Sequence, residues 1–266
     1  MCLSTSQEAA LEMTRMAEAS MMLPVRQAFL IAYMTGVLWL RRNPMSLVFT
    51  AISPFSLLFV LFVISGGQYT DFAVAGSLVM ALVGYGLALG QDISFYKTEY
   101  KVQDVFVASP VSPLTYMMGL ALSELLFGLP ALVVLASLVI FFGAPIFSIP
   151  LLVATILLIW GSMSAIGFFL SSHMLHMRNA TQVISFVNVI LAILPPVFYP
   201  IDIMPPALQP LAYAMPTTHA SLIIQYIIGM DTLPEGWSLG FGFTVLIAYL
   251  VGFVALAKTK AIWRES

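Results

Sequence analysis

FAVAGSLVMALVGYGLALGQ, residues 72–91, runs straight into DISFYKTEYKVQDVFVASPVSP, residues 92–113, and the contrast between the two decides the fold. The first is a charge-free apolar run of the length a helix needs to cross a hydrocarbon core of roughly 30 Å. The second carries Asp92, Lys97, Glu99, Lys101 and Asp104 and ends in two Ser-Pro pairs. A further apolar run starts at once, at residue 114. Membrane crossings separated by charged turns are the simplest reading, and the flanking sequence extends it. Apolar stretches also cover 45–65, 114–142, 148–171, 180–200 and 239–257, with breaks at charges and Gly/Pro clusters. The expected fold is therefore an all-α polytopic membrane protein with six transmembrane helices.

Composition agrees. Of 266 residues, 61% are hydrophobic and 8% charged, with mean hydropathy +1.00, whereas a soluble domain carries about a quarter charged residues. A net charge of −2 gives no basic field for nucleic acid. The single cysteine, Cys2, excludes an intrachain disulfide. Residues 1–23, with Glu8, Glu12, Arg15 and Glu18, read as a polar cytosolic segment rather than a cleavable signal.

Basic residues are retained on the cytosolic side. With six spans, Arg15, Arg26, Arg41, Arg42, Lys97, Lys101, Arg178, Lys258, Lys260 and Arg264 all fall on one face, and Asp71, Asp202, Asp231 and Glu235 fall on the other. Both termini are then cytosolic, the 92–113 loop is cytosolic, and residues 258–266 form a basic cytosolic tail. Promoting Pro24–Leu40 to a seventh span would place Arg15 outside. Residues 24–43 are instead expected to form an amphipathic helix in the cytosolic interface, ended by Arg41-Arg42-Asn43-Pro44.

Within the loop, Val102, Val105 and Phe106 recur at helical spacing. They form either an apolar ridge for a docked protein or the inner face of a helix packed on the bundle's own base. Outside, residues 194–229 hold too many prolines for one spanning helix and too many apolar residues for a solvated loop. A re-entrant helical hairpin between the fifth and sixth spans meets both constraints, with Phe198, Tyr199 and Tyr213 at headgroup depth. Glu124 lies about a third of the way along the third span, where a lipid-facing charge would cost about 2.5–3.5 kcal/mol. It must face protein or water, as a substrate contact or a structural partner.

Two stretches resemble a known family. DVFVASPVSP (104–113) leading into LTYMMG, and PPVFYPIDIMPPALQPLAYAMPTTH (195–219), are similar to the cytosolic loop and the Pro-rich extracellular segment of ABC transporter permeases of the type-2 exporter family. They stand in that family's order, on opposite sides of the membrane. The chain differs in having Lys101-Val102 where many relatives have Gly-Thr, and Pro195-Pro196 where Ser-Gly is frequent. The resemblance implies a transmembrane domain over 24–257 and a homodimer or a heterodimer with a homologous permease, in the cell membrane among its lipids. It implies separate ABC ATPase subunits docking around Glu99, Val102, Val105, Phe106 and Ser109. An outer gate would involve Pro195, Pro196, Phe198, Tyr199, Pro200, Pro205, Tyr213 and Pro216.

No G-x-x-x-x-G-K-[S/T] occurs in the chain, so it lacks the loop that cradles nucleotide phosphates. ATP and Mg are expected on the partner ATPase, no cofactor on this chain, and no enzymatic chemistry of its own. The expected substrate is amphiphilic, drug-like or lipid-like; a polysaccharide or lipid-linked glycan is the alternative within the same machinery. An ATP-independent transporter or channel is the rival class, though such proteins usually bury more ionisable groups along their path. Gly236-Trp237-Ser238-Leu239-Gly240 matches a nucleophile elbow but opens a membrane helix instead of following a strand. His173 and His176 have no further ligand nearby in sequence to make a metal site.

Overall fold

A computed structural model describes residues 24–101, 105, 106, 108, 109, 111–142, 145, 148–174, 176–230 and 233–261. The polar stretch 1–23, Val102 and the tail beyond Ala261 lie outside these. The described residues form helices and no strands. Helix α1 covers 24–42, α2 Met45–Ile64, α3 Thr70–Thr98, α4 Pro113–Phe141, α5 Ile149–Ser172 and α6 Met177–Ile193. Short helix α7, Gln209–Tyr213, and α8, Pro216–Ile228, precede the last long helix, α9, Leu239–Lys260.

Helices α3, α4, α5 and α9 are long and apolar enough to cross a membrane, and α2 adds a fifth candidate span although it bends by 41° between Ile52 and Pro54. Helix α6 has 17 residues, about 25 Å at roughly 1.5 Å per residue, which is short of a full hydrocarbon core. The six expected spans therefore appear as four long helices, one bent one and one short one.

The bend in α2 has an identifiable cause. Pro54 has no N–H, so the carbonyl of Thr50, four residues earlier, loses its helical partner. The hydroxyl of Tyr85, on α3, donates to that carbonyl at 3.1 Å. In an apolar surrounding an unpaired carbonyl is costly, and a side chain from a neighbouring helix relieves it.

Helix α3 is the centre of the molecule. Its most apolar stretch is 83% buried, against 11% for that of α9. It lies against α5 through small residues. A Cβ on Gly90 would come within 2.6 Å of the Gly167 carbonyl oxygen, one on Gly86 within 3.0 Å of that of Trp160, and one on Gly167 within 3.1 Å of that of Leu87. Ser94 and Ser171 close the contact with a 2.8 Å hydrogen bond. Gly86, Gly90, Gly161, Ser162, Ser164 and Gly167 fit either a dimer interface or the subunit's own core by sequence; Gly86, Gly90 and Gly167 serve the core. By contrast α2 exposes Phe49, Phe59 and Phe62, α6 exposes Phe186 and Val189, and α9 exposes Phe241 and Val251. These apolar outer faces suit lipid or another membrane chain.

Two differences from the sequence reading concern the base of the bundle, where α1 lies and α3 ends. The charges after residue 91 do not end the helix: α3 continues to Thr98, so the stretch read as loop from residue 92 begins with nearly two helical turns. And α1 is a helix as expected, but it contains a π-helical turn, Tyr33–Val37. There Gly36 sits against Ser123 of α4, with room for a Cβ only 2.9 Å from the Ser123 hydroxyl.

Candidate functional site

At the base, α3 ends with the backbone N–H of Glu99 donating to the Phe95 carbonyl. Lys101 then takes a left-handed φ of 52° that turns the chain back. The rings of Phe95, Tyr96 and Tyr100 cluster at this turn, with Phe95 and Tyr100 edge to face at 4.7 Å. Residues 105 and 106 are helical, and they point different ways. Val105 is 67% exposed, whereas the Phe106 ring packs 5.0 Å from that of Tyr116, a fully buried residue of α4. Ser109 folds back on this piece, its hydroxyl donating to the Phe106 carbonyl at 2.7 Å. Helix α4 starts at once under a side-chain cap, Ser112 accepting from the Thr115 N–H at 3.1 Å, with Pro113 in the first turn. One short segment thus bridges the ends of the two central helices.

Just above this base, Asp92 of α3 and Glu124 of α4 share a hydrogen bond between their carboxyl groups. Glu124 is therefore not alone within a span: Asp92, read from sequence as the first loop residue, stands inside α3 beside it. The pair lines a cavity of about 340 Å³ bounded also by Trp39, Tyr85, Tyr96 and Phe127.

At the other end, α6 gives way after Leu194 to a chain held by backbone and side-chain hydrogen bonds. Pro195, Pro196 and Val197 are buried, and the Val197 carbonyl accepts from the Ser221 hydroxyl of α8 at 3.1 Å. The Phe198 ring lies on Gly76 of α3, where any side chain would collide with it. Pro200 leads into a 3-10 turn, Ile201–Ile203. Ile201, Met204 and Ala212 make a small second core with Tyr199 and Tyr213 packed on it, while Pro205 is exposed. Pro216, buried, opens α8, and the left-handed Gly229 ends it, with Met230 N–H reaching back to the Gln225 carbonyl at 3.1 Å.

His219 ties this region together. Its Nδ1 accepts from the Trp237 indole N–H at 3.3 Å, which leaves Nε2 to carry the proton and donate to the Tyr213 carbonyl at 2.9 Å. Burial holds its pKa below the ordinary value, and the bond to the carbonyl acts in the opposite direction. The Tyr249 hydroxyl of α9 adds a 2.7 Å bond to the Ala214 carbonyl.

The helical bundle thus presents an exposed segment, with Val105, at one end and a cluster of proline-broken helices at the other. A family model for the ABC-2 type transporter matches residues 11–229, more than half of the chain. This chain belongs to the ABC-2 type transporter family. No curated protein matches it. ABC-2 proteins are the membrane subunits of ABC transporters and work with ABC ATPase subunits. The chain is accordingly an ABC transporter permease and a multi-pass membrane protein.

Within this ABC-2 fold Ser109 is hydrogen-bonded to Phe106, next to Val105, and Glu99 caps the end of α3; Phe198 lies on Gly76, Tyr199 and Tyr213 pack on the small second core, and Pro216 opens α8. The sequence reading missed Asp92, Tyr85 and His219. Only Asp92 left a readable trace: it stands one turn before Tyr96 on a helical pattern that continues past it. Tyr85 and His219 act through main-chain carbonyls, and no residue pattern marks those. Among the described residues no group of three or more His, Cys, Asp or Glu could hold a metal.

Proposed function

We propose that this ABC-2 permease is the transmembrane half of an ATP-driven exporter for an amphiphilic substrate, working as a dimer with separate ATPase subunits. The observation that carries the reading is the opposed placement of Val105 and Phe106. Val105 offers an exposed apolar contact, while Phe106 is inserted against Tyr116 of α4. A protein docked on the first would move the second, and with it the base of α4 and, through the turn at Lys101, the end of α3. Packed elements of this kind shift between discrete arrangements rather than deforming continuously.

In this reading the bent α2 and short α6 each count as a span, giving six crossings with both termini and residues 99–112 in the cytosol. The charge distribution supports that orientation: Arg41, Arg42, Lys97, Lys101, Arg178, Lys258 and Lys260 gather at one end. The segment 195–229 is then a re-entrant outer hairpin. Phe198 on Gly76, and the bonds of Ser221 and His219, hold it as a closed outer gate that must loosen for substrate to leave.

Reconstitution with the partner ATPase tests this. A charge at the contact, Val105→Asp, is expected to abolish co-purification and permease-dependent ATP hydrolysis. Phe106→Ala is expected to leave co-purification intact and uncouple hydrolysis from transport. If hydrolysis and transport survive both substitutions, the segment is not the docking element and the reading fails.

A further inference from the structure

The Asp92–Glu124 cavity has no part in docking or in the outer gate, yet its make-up is specific. Glu124 is 7% exposed and lies about 11 residues inside α4, and its hydrogen-bond partner is itself an acid. Two carboxyl groups joined by a hydrogen bond hold at least one proton, because one oxygen must donate. The pair in its singly protonated form therefore brings one negative charge to the cavity. Among the described residues lining it, none is basic.

Around the acids the walls are aromatic. Trp39 and Phe127 stand edge to face at 5.5 Å, Tyr85, Phe95 and Tyr96 add three more rings, and Thr35, Ser46 and Thr50 contribute hydroxyls. Trp39 is 47% exposed, so this wall is also reachable from outside the bundle. It comes from α1, whose π turn, Tyr33–Val37, lies just before it; such turns are frequent at functional sites. A cavity of about 340 Å³ is the size of a small-molecule site.

An apolar, aromatic chamber with a buried acid pair in its wall fits one ligand chemistry. We infer that it binds a monovalent organic cation with an apolar body, the ammonium meeting the carboxyl pair and the rings enclosing the rest. Aromatic faces attract desolvated cations, and an intramembrane acid facing a cavity marks a substrate path more often than a scaffold. Metal ions fit less well, because apart from the two acids the lining offers only neutral hydroxyls, those of Thr35, Ser46 and Thr50 among them, and rings. The inference deepens the export reading by naming its substrate class: an amphiphilic cation would enter between α1 and α2 at the cytosolic half of the subunit.

The test is binding to the purified full chain in dodecyl maltoside micelles, without the ATPase, so failure refutes the ligand class and leaves the permease reading standing. Ethidium is the cationic probe and phenanthridine its uncharged parent. Wild type is expected to bind ethidium at least about tenfold more tightly than phenanthridine. Asp92→Asn combined with Glu124→Gln, which leaves no ionisable group in the pair, should bring that ratio close to one while phenanthridine affinity stays the same. Trp39→Ala should weaken both probes. Displacement of ethidium by sphingosine, a lipid amine with one positive charge and no phosphate, supports the inference with a lipid amine as the occupant; no displacement supports it with a soluble amphiphile. A preference for ethidium that persists in the double carboxamide variant, or its absence from wild type, overturns it.

Discussion

Replacing Tyr85 with phenylalanine removes one oxygen, and the bend in α2 sets what that costs. The Tyr85 hydroxyl is the donor to the Thr50 carbonyl, which Pro54 has deprived of its helical N–H. Leaving a buried acceptor unpaired costs about 1–3 kcal/mol. The bond is neutral, 3.1 Å long and partly buried, which puts the loss at the lower end, about 1 kcal/mol, or about 2–4 °C in melting temperature for a chain of this size. The ring contact with Gly128 is retained in phenylalanine, so packing does not confuse the result. The decisive arm is a double-mutant cycle. Pro54→Ala restores the N–H, the Thr50 carbonyl is satisfied within α2, and Tyr85→Phe should then cost less than about 0.5 kcal/mol. Thermal unfolding of the four proteins in one detergent measures it. An equal penalty for Tyr85→Phe with and without Pro54 would show that the hydroxyl does not answer the proline, and the explanation of the bend would be lost.

Other outcomes follow from the packing and from His219. Gly90→Ala forces a methyl to 2.6 Å from the Gly167 carbonyl oxygen and should destabilise by about 1–3 kcal/mol. Gly84→Ala, on the same helix with nothing within 4 Å, should be neutral or slightly stabilising, as a helical Gly→Ala exchange usually is; thermal melts separate the two. For His219, burial lowers the folded pKa, so below the ordinary value near 6.5 the unfolded chain takes up the proton first. The stability His219 contributes is complete above that pH and is lost as pH falls toward the lowered value. Comparing melts at about pH 8 and pH 5.5 should show the loss, and His219→Gln should flatten this part of the profile.

Much of the helical frame was legible because apolar length alone specifies a membrane crossing. The runs at 72–91, 114–142, 148–171 and 239–257 all became long helices. What escaped depended on contacts between elements. Asp92 looked like the start of a loop because a charge normally ends an apolar run; α3 nevertheless runs on past it to Thr98, and it stands beside Glu124, 32 positions on. Val105 and Phe106 both fitted a ridge by spacing, and no spacing tells which side of so short a helix faces Tyr116. The small residues of α5 suited a dimer or a core equally until Gly167 was found on Leu87 and Gly90. Prolines 195–216 announced a broken segment, but the His219 bonds that lock it run to main-chain groups. The ABC-2 resemblance, carried by the segments at 104–113 and 195–219, was therefore more specific than any single residue within them.

Cross-linking tests the account most directly. In a chain with Cys2 replaced, a cysteine at Val105 and another at Ile203, which is 71% exposed in the outer segment, are each treated with a photoactivatable maleimide in membranes containing the partner ATPase. The account predicts an ATPase adduct from position 105 and none from position 203. An adduct from 203, or none from 105 while ATP-driven transport continues, would contradict it.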